Sequence, residues 1–362
     1  MFYSNRVERY EFELLNLRAG AYTSAGLLDN VRNASISVDF SREVVSTANF
    51  TLNETGEIDY LTDRIRPWYC LGEHKWPLGV YMLITPTKLT DGRAVTRTVY
   101  AYDPLLAISD DKVDAAFTLP EGSPVVESVR SIIDSVGDWV RHNIEDNDSA
   151  LREPMTWEIA TPKLEIVNRL LATINYYPLW ADGQGCFRAI PWRDKPLITW
   201  EFADNDKGLY LPVVNANIDY SEVYNKVIIV ADQLEGEEPP LISVRTLEDI
   251  GLGAHPFSKT NLGRYKVLKL DSESVSQDYI DNRARKVLLK GIESTENVNY
   301  EHAFISSRSE EGQEDGLPWQ GDSFKFKNKV LDLEAIFSVE EQSLTLQPGE
   351  LVRSAIRRVV NV

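Results

Sequence analysis

The chain has 362 residues, of which 43% are hydrophobic and 26% are charged, and these ordinary values exclude a wholly disordered protein. Its 38 Lys and Arg residues and 56 Asp and Glu residues give a formal net charge of −18. This charge disfavours sequence-independent DNA binding, which requires many cations on phosphates. No apolar run reaches the roughly 20 residues of a membrane helix, and the charged N-terminus predicts that no secretory signal is present. The length predicts about two or three domains.

Residues 1–108 are predicted to form a first antiparallel β-barrel domain. Apolar and polar residues alternate around Phe12, Val38 and Phe50, as they do on strands with one buried face. A turn is predicted at 72–75, between two further apolar segments. Short segments with a period of two, repeated about every 8–15 residues, are typical of antiparallel barrels and sandwiches.

The pattern changes to a helical one after residue 108. Ser123 is predicted to be an N-cap and Pro124 the first helical residue of a helix of about 20 residues that ends near Asn143. An apolar stripe on this helix gives the candidate core of an insert domain, which comprises Val129, Ile132, Val136 and Trp139. A seam between subunits is the alternative interpretation of the stripe. Packing within one domain is favoured because the stripe covers only about two heptads.

A second helix is predicted to begin at Thr161 and Pro162. The Asp182–Gly183 pair then lies between two apolar segments, which is typical of a β-hairpin. Residues 109–210 are therefore predicted to form a mixed α/β insert domain.

Residues 211–362 are predicted to form a second β-barrel domain with a helical excursion at about 236–295. A helix is expected from Gln277 to Ile292, and strand patterns return after it. The segment Tyr224–Val230 is apolar almost throughout, as expected of a strand covered on both faces. We predict a subunit interface at Tyr224, Val227 and Ile229, and the alternative is a strand buried within its own domain. The predicted fold class is mainly β with an α/β insert, in which two antiparallel barrels flank the mixed unit.

No motif for catalysis, cofactor binding or metal binding is found in the sequence. The four histidines lack a second His or Cys at the spacing of a zinc site, and no glycine-rich phosphate loop is present. Cys70 and Cys186 form no CxxC pair and are predicted to be reduced and structural. We therefore predict no catalytic residue, no cofactor and no metal, and a protein that is not an enzyme.

Three local patterns together resemble the baseplate hub proteins of bacteriophage tails. Residues Ile65–Tyr69 read Ile-Arg-Pro-Trp-Tyr and are followed by Trp-Pro-Leu-Gly-Val-Tyr-Met-Leu at Trp76–Leu83. Residues Tyr220–Val230 read Tyr-Ser-Glu-Val-Tyr-Asn-Lys-Val-Ile-Ile-Val and resemble the strand that opens the second barrel of that family. The third pattern is His-Pro-Phe-Ser at His255–Ser258, followed by Leu-Gly-Arg at Leu262–Arg264. Their order over roughly residues 60–270 carries the resemblance.

The resemblance implies a homotrimeric hub at the baseplate or tail tip of a phage or a contractile injection system. In this family each subunit supplies two similar barrels, so three subunits form a pseudo-sixfold ring around a passage for DNA. The ring meets the hexameric tail tube on one side and a threefold spike or fibre on the other. Because the chain ends soon after the turn at Pro348 and Gly349, we expect no C-terminal hydrolase domain.

The partners implied are the tail tube protein, the distal tail protein, a spike or fibre protein and the tape measure protein. Genome DNA is expected to pass without specific binding, because an acidic passage does not retain phosphates. The expected location is the virion tail, after synthesis in the host cytoplasm. Two alternatives remain open at this stage, namely a carbohydrate-binding or carbohydrate-degrading baseplate module and a hexameric distal tail ring protein.

Overall fold

A computed structural model describes residues 7–18, 20–193, 197–204, 210–220, 223–231, 240–272, 277–291, 293–305, 307–308 and 314–361. The chain divides into two compact units. Unit 1 comprises Met1–Val214 and Asn299–Ile356, and unit 2 comprises Asn215–Val298 and Arg357–Val362. The β-rich fold predicted from the sequence is confirmed, whereas the division at residues 108 and 210 stays a prediction.

The N-terminal part of unit 1 is an antiparallel sheet, as predicted. Its strands are β1 (Glu8–Arg18), β2 (Ala21–Leu28), β3 (Val31–Asp39), β4 (Ser46–Asn53), β5 (Arg64–Leu71), β6 (His74–Pro77), β7 (Tyr81–Thr90) and β8 (Val95–Tyr102). Every second residue of β4 is buried, which reproduces the alternation in the sequence. Leu71 pairs with His74 across the predicted turn between β5 and β6. The inward residues of these strands form one side of the hydrophobic core of unit 1.

The insert of unit 1 is a mixed α/β region, as predicted. Its elements are α1 (Leu105–Asp110), β9 (Phe117–Leu119), α2 (Val125–Asp134), β10 (His142–Ile144), β11 (Met155–Trp157), α3 (Lys163–Thr173), β12 (Trp180–Ala181) and β13 (Phe187–Ala189). β12 and β13 form the predicted antiparallel hairpin around Asp182 and Gly183, and β10 pairs with β13 in parallel. Helices α2 and α3 pack together, and their apolar faces join the core of unit 1.

Helix α2 is shorter than predicted, because it ends at Asp134 rather than near Asn143. The backbone N–H groups of Ser135 and Val136 close a final turn on Ser131 and Ile133, and Gly137 follows. Glycine costs about 1 kcal/mol relative to alanine inside a helix, so this position favours an end. The predicted N-cap is also wrong, because the Ser123 hydroxyl donates to the Pro120 carbonyl and Pro124 occupies the cap position.

The elements from Leu197 onward belong to both units. These elements are β14 (Leu197–Ala203), β15 (Tyr210–Asp219), β16 (Lys226–Ala231), β17 (Leu241–Thr246), α4 (Lys259–Leu262), β18 (Val267–Ser272), α5 (Gln277–Gly291) and β19 (Glu293–His302). The remaining strands are β20 (Ser307–Arg308), β21 (Glu314–Asp315), β22 (Asp322–Asn328), β23 (Leu333–Thr345) and β24 (Val352–Asn361). Within unit 1 the strand order is β23-β3-β4-β8-β7-β5-β1-β2, while β22 pairs with both β23 and β14.

The described part of unit 2 holds a three-stranded sheet in the order β17-β16-β18. Strand β16 is antiparallel to β17 and parallel to β18. Helix α5 packs on β16 and β17, and its residues Ile280, Ala284 and Leu288, spaced four positions apart, are buried in the core of unit 2. The helix agrees with the prediction up to Gly291, and the predicted final residue, Ile292, lies outside the described residues.

Candidate functional site

Of the three residues predicted to form a subunit interface, Tyr224 lies two positions before β16, and Val227 and Ile229 lie within it. Val227 and Ile229 are fully buried in the core of unit 2, against residues of α5. Tyr224 is half-buried, and its backbone N–H donates to the Gly291 carbonyl at 2.9 Å. Because Val227 and Ile229 are already covered within one chain, their positions favour the alternative of a strand buried in its own domain. Their role in subunit contact stays a prediction.

A buried asparagine, Asn225, joins two of the sequence patterns in unit 2. Its side-chain amide N–H groups donate to the carbonyls of Phe257 and Arg264, each at 2.9 Å. Its side-chain oxygen accepts from the backbone N–H of Lys266 at 2.7 Å. Asn225 therefore connects the Tyr220–Val230 segment to the segment that contains the His-Pro-Phe-Ser pattern. Residues 221 and 222 of the first segment lie outside the described part of the chain.

The four residues predicted as the core of the insert divide into two pairs. Val129 and Ile132 are buried on α2, whereas Val136 and Trp139 lie beyond its end and are half-buried against the same core. The Trp139 ring lies 5.7 Å from that of Tyr22 on β2 and 6.4 Å from that of Phe187 on β13, measured between ring centroids. Trp139 thus connects the insert to the N-terminal sheet within unit 1.

Two buried carboxylates lie where the β12–β13 turn meets the end of β21 in unit 1. They belong to Asp182, in the turn, and to Asp315, the last residue of β21. Asp182 and Arg188 are both buried and form an ion pair at 2.8 Å, and the Arg188 guanidinium lies 5.0 Å from the centroid of the Trp319 ring. Asp315 accepts from the Gly183 N–H at 2.7 Å and from the Trp319 indole N–H at 2.9 Å. Burial, together with the nearby Asp182 charge, raises the pKa of Asp315 to about 7.

Glycine is required at the centre of this junction. A Cβ added at Gly183 would lie 2.0 Å from an Asp315 carboxylate oxygen and 2.5 Å from the Pro77 carbonyl oxygen. The Gly183 carbonyl in turn accepts from the Gly79 N–H at 3.1 Å. The sequence pattern predicts a turn here, but nothing in it indicates that Asp315, 132 positions away, binds this turn.

Two further buried ionisable groups in unit 1 are held by backbone and hydroxyl groups. Asp103 accepts from the backbone N–H groups of Ser46 at 2.6 Å and Leu105 at 2.9 Å, and burial raises its pKa to about 7. His302 is fully buried, with Nδ1 at 2.7 Å from the Ala303 carbonyl and Nε2 at 2.8 Å from the Ser354 hydroxyl. Burial lowers the pKa of His302 to about 4, so the ring is neutral at pH 7.

Strand β2 forms an exposed edge of the sheet in unit 1. It pairs with β1, and no other described strand pairs with it. Residues 23–27 are exposed in succession and include neither a charged residue nor a proline. An open edge can pair with another chain, and the protection found here is a bulge, at which the register with β1 shifts between Leu14 and Leu15. This strand is therefore a candidate contact surface.

The outer face of the same sheet is concave and polar. A groove of about 610 Å³ crosses β3, β4, β8 and β23. The polar side chains on its floor alternate with buried apolar neighbours and belong to Ser35, Ser37, Thr47, Asn49, Tyr100, Tyr102, Ser343 and Thr345. Such a face suits contact with a polar surface of another protein.

Within the described ranges, no group of three or more His, Cys, Asp or Glu residues is placed to hold a metal ion. Cys70 and Cys186 are both free thiols, and burial raises the pKa of Cys186 to about 11. No helix in the described part of the chain has the length and apolar character needed to cross a membrane.

Comparison with known proteins shows relatedness in fold rather than in sequence. No family model and no curated protein matches the sequence. The 43 kDa tail protein of prophage MuSo2 from Shewanella oneidensis matches with a TM-score of 0.61 and 12% identity, over 97% of this chain and 98% of that chain. The tail protein of Neisseria meningitidis MC58 matches with a TM-score of 0.62 and 11% identity, over 98% and 97% of the two chains.

A chain of the half-lidded Francisella PdpA–VgrG complex also matches, with a TM-score of 0.57 and 9% identity. The match includes 98% of this chain and 58% of that chain. The resemblance predicted from three short sequence patterns is thus confirmed at the level of three-dimensional structure. From end to end, the chain has the β-rich fold of phage tail proteins and of the matching part of the PdpA–VgrG complex.

Proposed function

We propose that the chain is a structural protein of a phage tail, and specifically the trimeric hub at the baseplate or tail tip. The observation that carries this proposal is the end-to-end correspondence of fold with two phage tail proteins of similar length. A match over nearly the whole of both chains supports a shared architecture rather than a shared module. The virion tail is the proposed location, after synthesis in the host cytoplasm.

In this proposal three subunits form a ring that joins the tail tube to a spike or fibre. Its partners are the tube protein, the distal tail protein, the spike or fibre protein and the tape measure protein. The exposed β2 edge and the polar groove support a protein that functions by contact with other chains. The net charge of −18 on each subunit supports a passage in which DNA phosphates are repelled and do not bind.

The surroundings of the buried acids support a structural role over an enzymatic one. Raised carboxyl pKa values often mark active sites. In this chain, however, Asp103 and Asp315 are buried, and each accepts hydrogen bonds from backbone N–H groups. A carboxyl buried and held in this way is not accessible to a substrate.

The subunit count of the purified chain tests this proposal. We expect light scattering or native mass spectrometry to give three copies of the 41.1 kDa subunit across a range of protein concentrations. Six copies would instead identify a distal tail ring protein. A stable monomer that binds or degrades host polysaccharide would identify a carbohydrate-active module, so either result would overturn the hub.

A further inference from the structure

A small basic pocket lies in unit 1, between the N-terminal sheet and the insert. Its volume is about 210 Å³, and its lining includes Arg64, Arg66, Arg141, Tyr22 and Trp139. None of its described lining residues is acidic. Three arginines around one small cavity are unexpected in a chain whose acids outnumber its Lys and Arg residues by 56 to 38.

Arg64 is the most informative of the three because it is only 9% exposed. One guanidinium nitrogen, Nη1, donates to the carbonyls of Thr62 at 3.3 Å and Asp63 at 3.0 Å, and the group lies 5.2 Å from the centroid of the Tyr22 ring. No carboxylate of the described residues lies within ion-pair distance of Arg64. A buried cation without a counterion is costly, and burial lowers the pKa of Arg64 accordingly.

The nearest acids are already engaged. The Asp63 carboxylate accepts from the Asn16 side chain at 2.7 Å and from the backbone N–H of Asp59 at 2.8 Å. Glu13 pairs with Arg66 at 2.8 Å, so this arginine is neutralised. Arg66 also donates to the Gln184 side chain at 2.7 Å. Asp63 and Tyr22 offset part of the electrostatic cost of burying Arg64, but no described carboxylate forms an ion pair with it.

Arg141 adds a second cation without an ion-pair partner to the lining of the pocket. Its side chain is exposed, and no described carboxylate pairs with it. The pocket therefore combines a buried arginine and an exposed one, neither of them in an ion pair with a described carboxylate, with a third that is already paired. The rings of Tyr22 and Trp139 form an aromatic wall beside them.

We propose that this pocket binds one small oxyanion group, a carboxylate or a phosphate, between Arg64 and Arg141. Arginine suits this ligand because its planar fork matches the spacing of two oxyanion oxygens. A water occupies about 30 Å³ of liquid volume, so the cavity has room for the anion and some of its hydration shell. The pocket is a site distinct from the contacts proposed for the hub and does not depend on them.

Calorimetric titration with inorganic phosphate, and separately with acetate, tests the site at constant ionic strength. The variant Arg141→Gln removes the exposed cation without disturbing a buried group. The matched control is Arg32→Gln, which removes the same charge from an exposed residue of β3 outside the pocket. Arg141→Lys retains the charge but loses the planar fork.

We expect saturable binding of at least one of the two anions to the natural chain and to Arg32→Gln. Because a hydrogen bond to a charged group contributes about 1.5–3 kcal/mol, Arg141→Gln should weaken binding at least about tenfold, with Arg141→Lys in between. Binding of phosphate alone identifies a phosphate site, and binding of acetate identifies a carboxylate site. Equal affinity in Arg141→Gln and Arg32→Gln, or no saturable binding of either anion, would overturn the proposal.

Discussion

At the scale of single residues, the buried carboxyl of Asp315 contributes to the way stability depends on pH. Its pKa in the folded chain is about 7, against 3.8 for an unperturbed aspartate. Between these two values the folded state binds a proton that the unfolded state has released. The free energy of unfolding therefore falls as pH rises from about 4 to about 7. Asp103, whose pKa is also raised to about 7, acts in the same direction.

The substitution Asp315→Asn should weaken this pH dependence. The amide is neutral at every pH, and its oxygen can accept from the Gly183 and Trp319 N–H groups as the carboxylate does. We expect urea unfolding to show a smaller loss of stability between about pH 4 and pH 7 than in the natural chain, by on the order of a few kcal/mol.

His302 provides the comparison, because its effect has the opposite sign. Its folded-state pKa is about 4, below the ordinary value of 6.5, so its contribution to stability is lost as pH falls from about 6.5 to about 4. The pH profile of the natural chain sums these effects with those of other groups, including acids such as Glu13 and Glu54 whose pKa values are lowered. The difference between the natural chain and the variant isolates Asp315. Parallel profiles would contradict the assignment.

At the scale of elements, the sequence predicted local patterns better than the ends of helices. The period of two gave β4, and the helical stripe gave the buried face of α2. The predicted apolar stripe of α2 included Val136 and Trp139, and both residues do pack on the core. They lie in an irregular segment beyond the end of the helix, however. Apolar spacing alone did not distinguish a continuing helix from a chain that leaves the helix and packs on the same core.

Contacts between distant segments could not be predicted from the sequence. Asn225 belongs to one of the three sequence patterns, but nothing in its neighbourhood indicates that it binds carbonyls 32 and 39 positions away. The pairing of Asp315 with Gly183 was missed for the same reason. Such contacts depend on how the strands are ordered in the sheets, which local periodicity does not determine.

Trp139 tests how firmly the insert is attached to the sheet. Since its ring packs between Tyr22 and Phe187, Trp139→Ala should destabilise unit 1. The loss should lie below the about 3–5 kcal/mol typical of a fully buried tryptophan, because Trp139 is half-buried. Urea unfolding followed by circular dichroism measures this loss.

The matched control is Trp192→Ala, because Trp192 is 54% exposed and its ring contacts only that of Tyr177 among the described aromatic rings. We expect Trp192→Ala to lower the free energy of unfolding much less than Trp139→Ala does. Both variants should keep the subunit number of the natural chain. If Trp139→Ala left stability unchanged but dissociated the assembly, the stripe would be a seam between subunits. That result would reverse the preference for packing within one domain.

At the scale of the whole molecule, the two units have separate hydrophobic cores. The core of unit 1 includes residues of the N-terminal sheet and the insert, whereas the core of unit 2 lies between β16 and α5. All eight tryptophans belong to the residues of unit 1. Tryptophan fluorescence therefore reports directly on unit 1, while circular dichroism reports on both units.

The substitution Ile229→Asp should unfold unit 2 and leave unit 1 folded. Ile229 is fully buried against α5, where the described residues of the core are apolar. A buried aspartate would therefore find no hydrogen-bond donor among them. The cost should exceed the about 2–5 kcal/mol of truncating a buried isoleucine to alanine, since a polar group is buried as well. We expect circular dichroism to lose signal at low temperature, while the thermal transition seen by tryptophan fluorescence remains.

The matched control is Ile242→Asp on the neighbouring strand β17, where the isoleucine is 52% exposed and faces Val230 across the sheet. This variant should keep both signals, because its carboxylate remains in water. A simultaneous loss of both transitions in Ile229→Asp would show that the two cores fold as one cooperative system. A fully folded Ile229→Asp chain that is monomeric where the natural chain is trimeric would instead place Ile229 at a subunit interface. The burial of Ile229 within a single chain is the reason to expect no interface there, and the separate cores are the reason to expect separate transitions.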